Sequence, residues 1–392
     1  MATKLSNAQI KNIVNLAYKQ MTGTDDIAQI DLTNFTDKGA NSISDYREKF
    51  TGALLGVMTK LWFTDTSYRS EYNDIFYEDS ERFGAIIQAI SVKMPDAIDN
   101  SAWNDFVSGT TKVGQYTVYL PIVSTKYYTK SESWAIPITI TGEQWDTAMC
   151  NADELASFIS YIFMMLDNAI VQHMEDMNDL NRNNFISEKI NYAKTPEAKG
   201  IHVVDLVKLY CTEKGIAVAT TRDSLLNDRD FLSFASGKMS EYLGYFRKQT
   251  SLFNTEGIVR FTPEDRLVCQ ILSYFETKMS TIAYTNSFNK EFINLPNHQS
   301  VAWWQNGGDL SFNDVSTINV LDASGNTTTT SGIVGLICDK WAILHTIRSN
   351  RVASQHFDIE NLTHYEYQHR DSYINNLTMN AVVFVMNDYT PA

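Results

Sequence analysis

The sequence predicts an α+β fold, and three observations predict it. Two alternating β arms stand at Val113–Val123 and Trp134–Thr141, joined by a polar segment with no core signal of its own. An amphipathic helix of roughly thirty residues follows at once, from Asn151 to Leu180. Helices and strands then mix from Gly200 to Arg351. A long exposed ribbon leading straight into a long helix builds no pocket, but it suits a chain that must reach across its neighbours. The arrangement points to a building block and away from a catalyst.

The N-terminal region reads as two helices separated by an arm. Residues Ala8–Met21 place Ile10, Ile13, Val14, Ala17 and Met21 on one face, with Ser6 or Asn7 as cap. The polar stretch Thr22–Ser44 is long for a compact domain and reads as an extended arm or linker. A second helix starts near Asp45, where Asp45 and Glu48 form a capping box, and it buries Phe50, Leu54, Val57, Met58 and Leu61. After an acidic, aromatic segment (Asn73–Gly84), Ala85–Met94 reads as a buried strand stopped by Pro95.

In the expected hairpin, Tyr116, Val118 and Leu120 alternate along one arm and Ile136, Ile138 and Ile140 along the other. Pro121 and Pro137 suit exposed or edge strands, because proline cannot donate to a ladder. The tip, Ser124–Ser133, carries Lys126, Tyr127, Tyr128, Lys130 and Glu132, and reads as a projecting loop that docks elsewhere. The helix behind it has Asn151 as cap and Glu154 at the capping-box position. Leu155, Phe158, Ile159, Ile162, Phe163, Leu166, Ile170, Met174 and Met177 follow at three and four spacing. At ~1.5 Å per residue it would run about 45 Å, the length of a domain spine.

Further on, Val203–Glu213 reads as helix ending before Gly215, and Phe231–Lys248 as a helix interrupted by Gly237 and Gly244. Leu267–Leu272 and Asn319–Asp322 read as short strands, and Ala323–Gly332, with its four consecutive threonines, as a surface loop. Leu336–Ile347 is a buried strand broken at Asp339-Lys340. His364–Val385 is extended and finishes in the apolar run Ala381–Val385, tied into a sheet.

Composition narrows the function. With 392 residues, 44% apolar and 20% charged, the chain can build two or three cores and is not disordered. A net charge of −14 argues against a surface that grips nucleic acid, though not against a shell that contains it. Cys150, Cys211, Cys269 and Cys338 form neither a zinc pattern nor a disulfide framework, so free thiols made in a reducing cytoplasm are expected. No signal peptide stands at Met1-Ala2-Thr3-Lys4, and the apolar stretch Phe158–Leu166 is too short to span a bilayer.

Two late segments carry a family resemblance. Ile333-Val334-Gly335-Leu336-Ile337-Cys338-Asp339-Lys340-Trp341-Ala342-Ile343 resembles a buried late strand of tailed-phage major capsid proteins, with an Asp-Lys step followed by an aromatic. Asn376-Leu377-Thr378-Met379-Asn380-Ala381-Val382-Val383-Phe384 is similar to their closing strand. The order of elements agrees from about Ala85 onward, and the look is closest to head proteins of short-tailed podoviruses. The resemblance implies the tailed-phage major capsid fold. Its expected parts are an N-terminal arm (1–84), a peripheral-domain strand and connection (85–112), an extended hairpin loop (113–145), a spine helix with peripheral domain (146–199), an axial domain (200–351) and C-terminal return strands of the peripheral domain (352–392).

It also implies a virion subunit, made in the host cytoplasm, that assembles with itself as hexamers and pentamers into an icosahedral or prolate shell. A portal and a scaffold protein are further expected partners. The shell would enclose double-stranded DNA without sequence-specific binding, and no membrane, cofactor or metal is expected. Contact regions are expected at the hairpin tip (Lys126, Tyr127, Tyr128, Lys130), the first helix (Ile10, Ile13, Val14) and the second (Phe50, Leu54).

Catalytic readings fare worse. His364, Glu366 and His369 give HxExxH and not the zincin HExxH, and in a strand the two histidines face opposite sides. Trp303-Trp304 could form a sugar platform, as in a carbohydrate- or receptor-binding virion accessory, but adjacent strand residues point oppositely, leaving one for the core. Gly237-Lys238-Met239-Ser240 lacks the earlier glycine of a phosphate-binding loop. A hydrolase with a scattered site in Gly200–Arg351 would need a deep pocket and a shifted acid or histidine.

Overall fold

The structure, a computed structural model, describes residues 77–78, 87–93, 120, 123–128, 131–144, 152–196, 198–218, 222–286, 298–305, 307–321, 327–357 and 361–387. The expected helices carrying Ile10, Ile13, Val14, Phe50 and Leu54 lie outside these residues, as do Lys130 and all of the arm Val113–Val123 except Leu120 and Val123.

In chain order the strands are β1 (Tyr77–Glu78), β2 (Ile87–Val92), β3 (Val123–Tyr128), β4 (Glu132–Thr141), β5 (Val203–Asp205), β6 (Leu267–Leu272), β7 (His298–Val301), β8 (Ile318–Leu321), β9 (Thr327–Thr330), β10 (Ile333–Asp339), β11 (Ile343–Phe357), β12 (Leu362–Asn375) and β13 (Ala381–Val385). The helices are α1 (Ala152–Ala193), α2 (Leu206–Lys214), α3 (Arg229–Phe246), α4 (Ser273–Asn286) and the short α5 (Phe312–Val315). They form two compact units. One draws on Met1–Phe83, Lys130–Asn181 and Leu344–Tyr373, the other on Gly84–Thr129, Arg182–Ile343 and Ile374–Ala392.

The first unit holds a four-stranded sheet in the order β1-β11-β12-β4. β4 and β12 pair antiparallel from Thr141↔Leu362 to Glu132↔Asp371. Alternation buries Ile138 and Ile140 on one side of β4 and Tyr365 and Tyr367 on the same side of β12. The first part of α1 contributes Ile162, Leu166 and Ile170 to this unit's core.

Asp371 is fully buried in the first unit and accepts a hydrogen bond from Trp134 Nε1 at 2.7 Å. His369 Nδ1 lies 3.4 Å from one carboxylate oxygen and His345 Nε2 3.8 Å from the other. Burial pushes the carboxyl pKa up, but these two imidazoles outweigh it and hold Asp371 well below the usual carboxylate range.

The second unit is built on a five-stranded sheet ordered β5-β13-β10-β6-β7. β10 pairs antiparallel with both β13 and β6, while the edges β5 and β7 run parallel to their neighbours. Every residue of β6, β10 and β13 is buried, as expected of strands covered on both faces. Phe231, Leu232, Ala235, Met239, Leu243 and Phe246 of α3 are buried too, and Tyr242 meets Phe384 edge-on at 5.4 Å. A Cβ at Gly335 would come within 3.3 Å of both the Gln270 carbonyl and the Met239 methyl, a tight fit that glycine avoids.

Several expectations change on the structure. The helix expected to end at Leu180 runs 42 residues, to Ala193. Its last turns are rich in Asn, Arg, Ser and Lys, which read as surface, yet Asn183, Ser187 and Lys189 are buried. Val203–Asp205 is strand before α2 begins, with Asp205 capping the helix and Gly215, at φ 67°, closing it in the left-handed region. α3 runs unbroken through Gly237 and Gly244. The threonine run expected as loop is β9, paired with β8. The strand expected to be buried at Ala85–Met94 is β2, whose Ile90 and Val92 are exposed. The C-terminal segment divides, β12 lying mostly in the first unit and β13 at the heart of the second.

Candidate functional site

The expected hairpin is corrected by its partners. β4, its second arm, pairs with β12, and Lys126, Tyr127 and Tyr128, expected in a loop, lie in β3. β3 pairs antiparallel with β2, from Ile87↔Tyr128 to Val92↔Val123. The apolar and polar alternation identified strands correctly, but pairing is non-local and a single sequence does not print it.

The β2–β3 ribbon is amphipathic in an inverted sense. Gln88, Ile90 and Val92 share one face with Val123, Thr125 and Tyr127, and all six are exposed, Ile90 at 62% and Tyr127 at 61%. The opposite face carries Ala89, Ser91, Ser124 and Tyr128, all half-buried, together with exposed Lys126. Soluble ribbons usually turn their apolar face to the core. This one turns its two serines inward with Ala89 and Tyr128, and leaves Ile90, Val92 and Val123 outside. Beside β2 lies a notch of about 320 Å³, bordered by Val259, Phe261 and Trp341, which are themselves substantially exposed.

The inner face rests on one carboxylate. Ser91 Oγ has its one proton within reach of Glu256 Oε2 at 3.3 Å and of the Ser124 carbonyl at 3.4 Å, and Ser124 Oγ donates to Glu256 Oε1 at 3.2 Å. Arg260 approaches the same carboxylate at 3.6 Å. Burial and then the charges of Glu256 and Glu188 push the Tyr128 hydroxyl up to about 12. Glu188, raised by burial, is drawn back down by Lys126.

Glu256 stands on a braced loop. Asn254, fully buried, donates to the Ile258 carbonyl at 2.7 Å and accepts from the Ile258 N–H at 3.0 Å, while Gly257 takes φ 65° to let the chain turn. Thr255 Oγ1 donates to the Leu377 carbonyl at 3.0 Å. From α1, Tyr192 donates to the Thr255 carbonyl at 3.0 Å and Lys189 Nζ to the Phe253 carbonyl at 3.1 Å. Lys189 is fully buried, and desolvation lowers its pKa to about 7. The polar residues that hid the end of α1 in the sequence are therefore the groups that hold this loop.

The Asp-Lys-aromatic step ends β10 for a reason the geometry supplies. Asp339 is buried and accepts from Thr262 Oγ1 at 3.2 Å, from Arg266 Nε at 3.2 Å and from the Trp341 N–H at 3.0 Å. Arg266 Nη2 pairs with the same carboxylate, and its guanidinium lies 3.7 Å from the centre of the Trp341 ring. Capping Trp341 N–H starts a short 3-10 turn at Lys340–Ala342 and breaks the strand.

The motifs considered for catalysis do not converge. His364 is exposed with Nδ1 2.6 Å from Thr139 Oγ1, whereas His369 is buried against Asp371, Tyr367 and Trp134, on opposite faces as expected. Among the described residues no group of three or more His, Cys, Asp or Glu could hold a metal ion. Trp304 is fully buried and donates to the Ile333 carbonyl at 2.8 Å, while Trp303 is 45% exposed, so the pair forms no joint platform. Among the described residues no helix is long and apolar enough to cross a membrane.

This mixed fold is that of phage capsid proteins. It matches a chain of the Staphylococcus phage Andhra capsid with a TM-score of 0.52 at 7% identity, covering 83% of this chain and 86% of that one. It also matches a chain in the structure of the head fiber and inner core protein of native bacteriophage P68, with a TM-score of 0.51 at 10% identity, covering 82% and 86%. No curated protein matches. Residues 10–385 match the Phi29-like phage major capsid protein family, and the chain belongs to it. It is a major capsid protein, a structural subunit of the phage virion's shell.

Proposed function

We propose that the outer face of the β2–β3 ribbon is the surface this subunit presents to a second copy of itself in the shell. The observation that carries this reading is the ribbon's inversion: Ile90, Val92, Val123 and Tyr127 face solvent while serines face the body. Two strands alone are marginal in water, and an exposed apolar face gains stability when a neighbour covers it. Tyr127 lies on the contact face in this reading, and Lys126 and Tyr128 set the ribbon's seat.

On the same reading the first unit is the peripheral domain and the second the axial domain. The subunits form hexamers and pentamers around double-stranded DNA in the host cytoplasm, with portal and scaffold proteins taking part. The chain works by assembly and not by catalysis, which accords with its structural family. Ile10, Ile13, Val14, Phe50, Leu54 and Lys130 remain proposed contacts beside the ribbon.

The test is an Ile90→Ser/Tyr127→Ser double variant supplied in the phage. Its subunits should stay folded yet sediment as free protein, without shells under electron microscopy. Normal shells from this variant would overturn the ribbon's role.

A further inference from the structure

We propose that Glu256 is a positioning residue for assembly. Its carboxylate grips one serine from each strand of the β2–β3 ribbon and thereby fixes the direction and register in which the ribbon lies on the body. The inference rests on the reading of that ribbon as an assembly surface.

Three observations carry it. First, Ser91 and Ser124 are direct cross-strand partners, and each reaches a different oxygen of Glu256. The grip is thus applied to both strands at one cross-strand pair, so neither strand can tilt without loosening it. Second, the loop that carries the carboxylate is held in place. Its loop is closed on itself by Asn254 and tied to α1 through Tyr192 and Lys189 and to the Leu377 carbonyl through Thr255. Third, the fork reads register. A slip of one residue would replace a serine facing Glu256 with Ile90, Val92, Val123 or Thr125 and turn the apolar face inward.

The strength of the contact fits positioning better than bulk stabilisation. Both hydrogen bonds, at 3.3 and 3.2 Å, are long for an O–H donor on a carboxylate. Apolar residues packed at the same two positions would hold the ribbon more firmly but without a defined direction. A carboxylate shared between two hydroxyls sets an angle.

The test uses the full-length subunit in three variants. Glu256→Ala removes the fork, Ser91→Ala/Ser124→Ala removes both donors while keeping the loop's charge, and Glu256→Gln keeps a side chain that can accept from one serine and donate to the other. Hydrogen exchange on unassembled subunits reads the grip, and electron microscopy of particles from phage carrying each variant reads its consequence. Losing two net hydrogen bonds should speed exchange of the ribbon amides, 87–92 and 123–128, by about tenfold or more. Amides of β10 and β13 should not change. Particles from the alanine variants should be heterogeneous in size and curvature, and Glu256→Gln should restore both readouts toward wild type.

Unchanged ribbon exchange in both alanine variants would overturn the grip. A loosened ribbon with uniform, normal shells would overturn its role in positioning. If Glu256→Ala fails to fold, the serine double variant decides by the same two readouts. Failure of the underlying reading is separable, because it shows as normal shells from Ile90→Ser/Tyr127→Ser whatever the exchange rates are.

Discussion

The second unit contains two β structures that treat their apolar residues in opposite ways. In the five-stranded sheet, Leu336, Ile337, Val383 and Phe384 are sealed between neighbours and the α3 helix. In the β2–β3 ribbon, residues of the same kind face water and the body is met by two serines. The sheet draws its stability from within the subunit, whereas the ribbon's outer face, on the proposed reading, is covered by a second copy. A core and an interface can therefore be told apart by which side of a strand is dry.

The comparison breaks most sharply in the sheet. Phe384→Ala should cost about 3–5 kcal/mol in denaturant unfolding of the free subunit, because the ring's neighbours cannot collapse into the space. A loss below about 1 kcal/mol would mean that the sheet is not the core. Next comes Asp339→Ala, which leaves Arg266 unpaired beside Trp341 and frees the end of β10. Its cost should be about 3 kcal/mol, the low end for a broken buried pair because Arg266 keeps some contact with solvent.

Lys189 gives a smaller effect with a defined sign. Its folded pKa of about 7 lies below the unfolded value near 10.4, so the unfolded chain binds more protons in between and stability rises with pH. From pH 7 to 8.5 the gain should be roughly 1.5 kcal/mol. Higher still it is opposed by Cys269 and Cys338, whose thiols burial pushes up and whose contribution is lost as pH climbs past the ordinary thiol range. Lys189→Met should flatten the rise between pH 7 and 8.5, and an unaltered slope would remove Lys189 as its source. Smallest of all, Ile90→Ser should change free-subunit stability by no more than about 0.5 kcal/mol, as for other exposed positions. A large loss there would mean that the ribbon's outer face is covered within the subunit itself.

Much of this was legible beforehand, and what was missed has physical causes. Leu267–Leu272 is a strand as read, because a short apolar run, interrupted only by Gln270 and bounded by polar residues, fits a strand covered on both faces. The break at Asp339-Lys340 was visible since a charged pair inside such a run must leave the ladder. The one-in, one-out arrangement of Trp303 and Trp304 and of His364 and His369 followed from strand and chain geometry. The family resemblance, carried by Ile333–Ile343 and Asn376–Phe384, agrees with the family to which the chain belongs.

The ribbon's pairing was not legible, because β2 and β3 are separated by a long stretch of chain and alternation does not name a partner. The end of α1 was hidden for the opposite reason. Asn183, Lys189 and Tyr192 look like a solvated face, but their polar atoms answer loop carbonyls at Trp304, Phe253 and Thr255. Glu256 itself, one of 46 acidic residues, carried no signal at all without its serines beside it.

The position of β13 has a consequence in time. It is the last described strand to be made, yet it lies inside the sheet, between β5 and β10. A ribosome adding about 5–20 residues per second will have released β5, β6 and β10 well before Val385 emerges. Until then β5 has no neighbour in the sheet and the inner edge of β10 stands open. The nascent chain thus cannot offer a finished five-stranded sheet to a growing particle, and synthesis through Val385 precedes its competence to build.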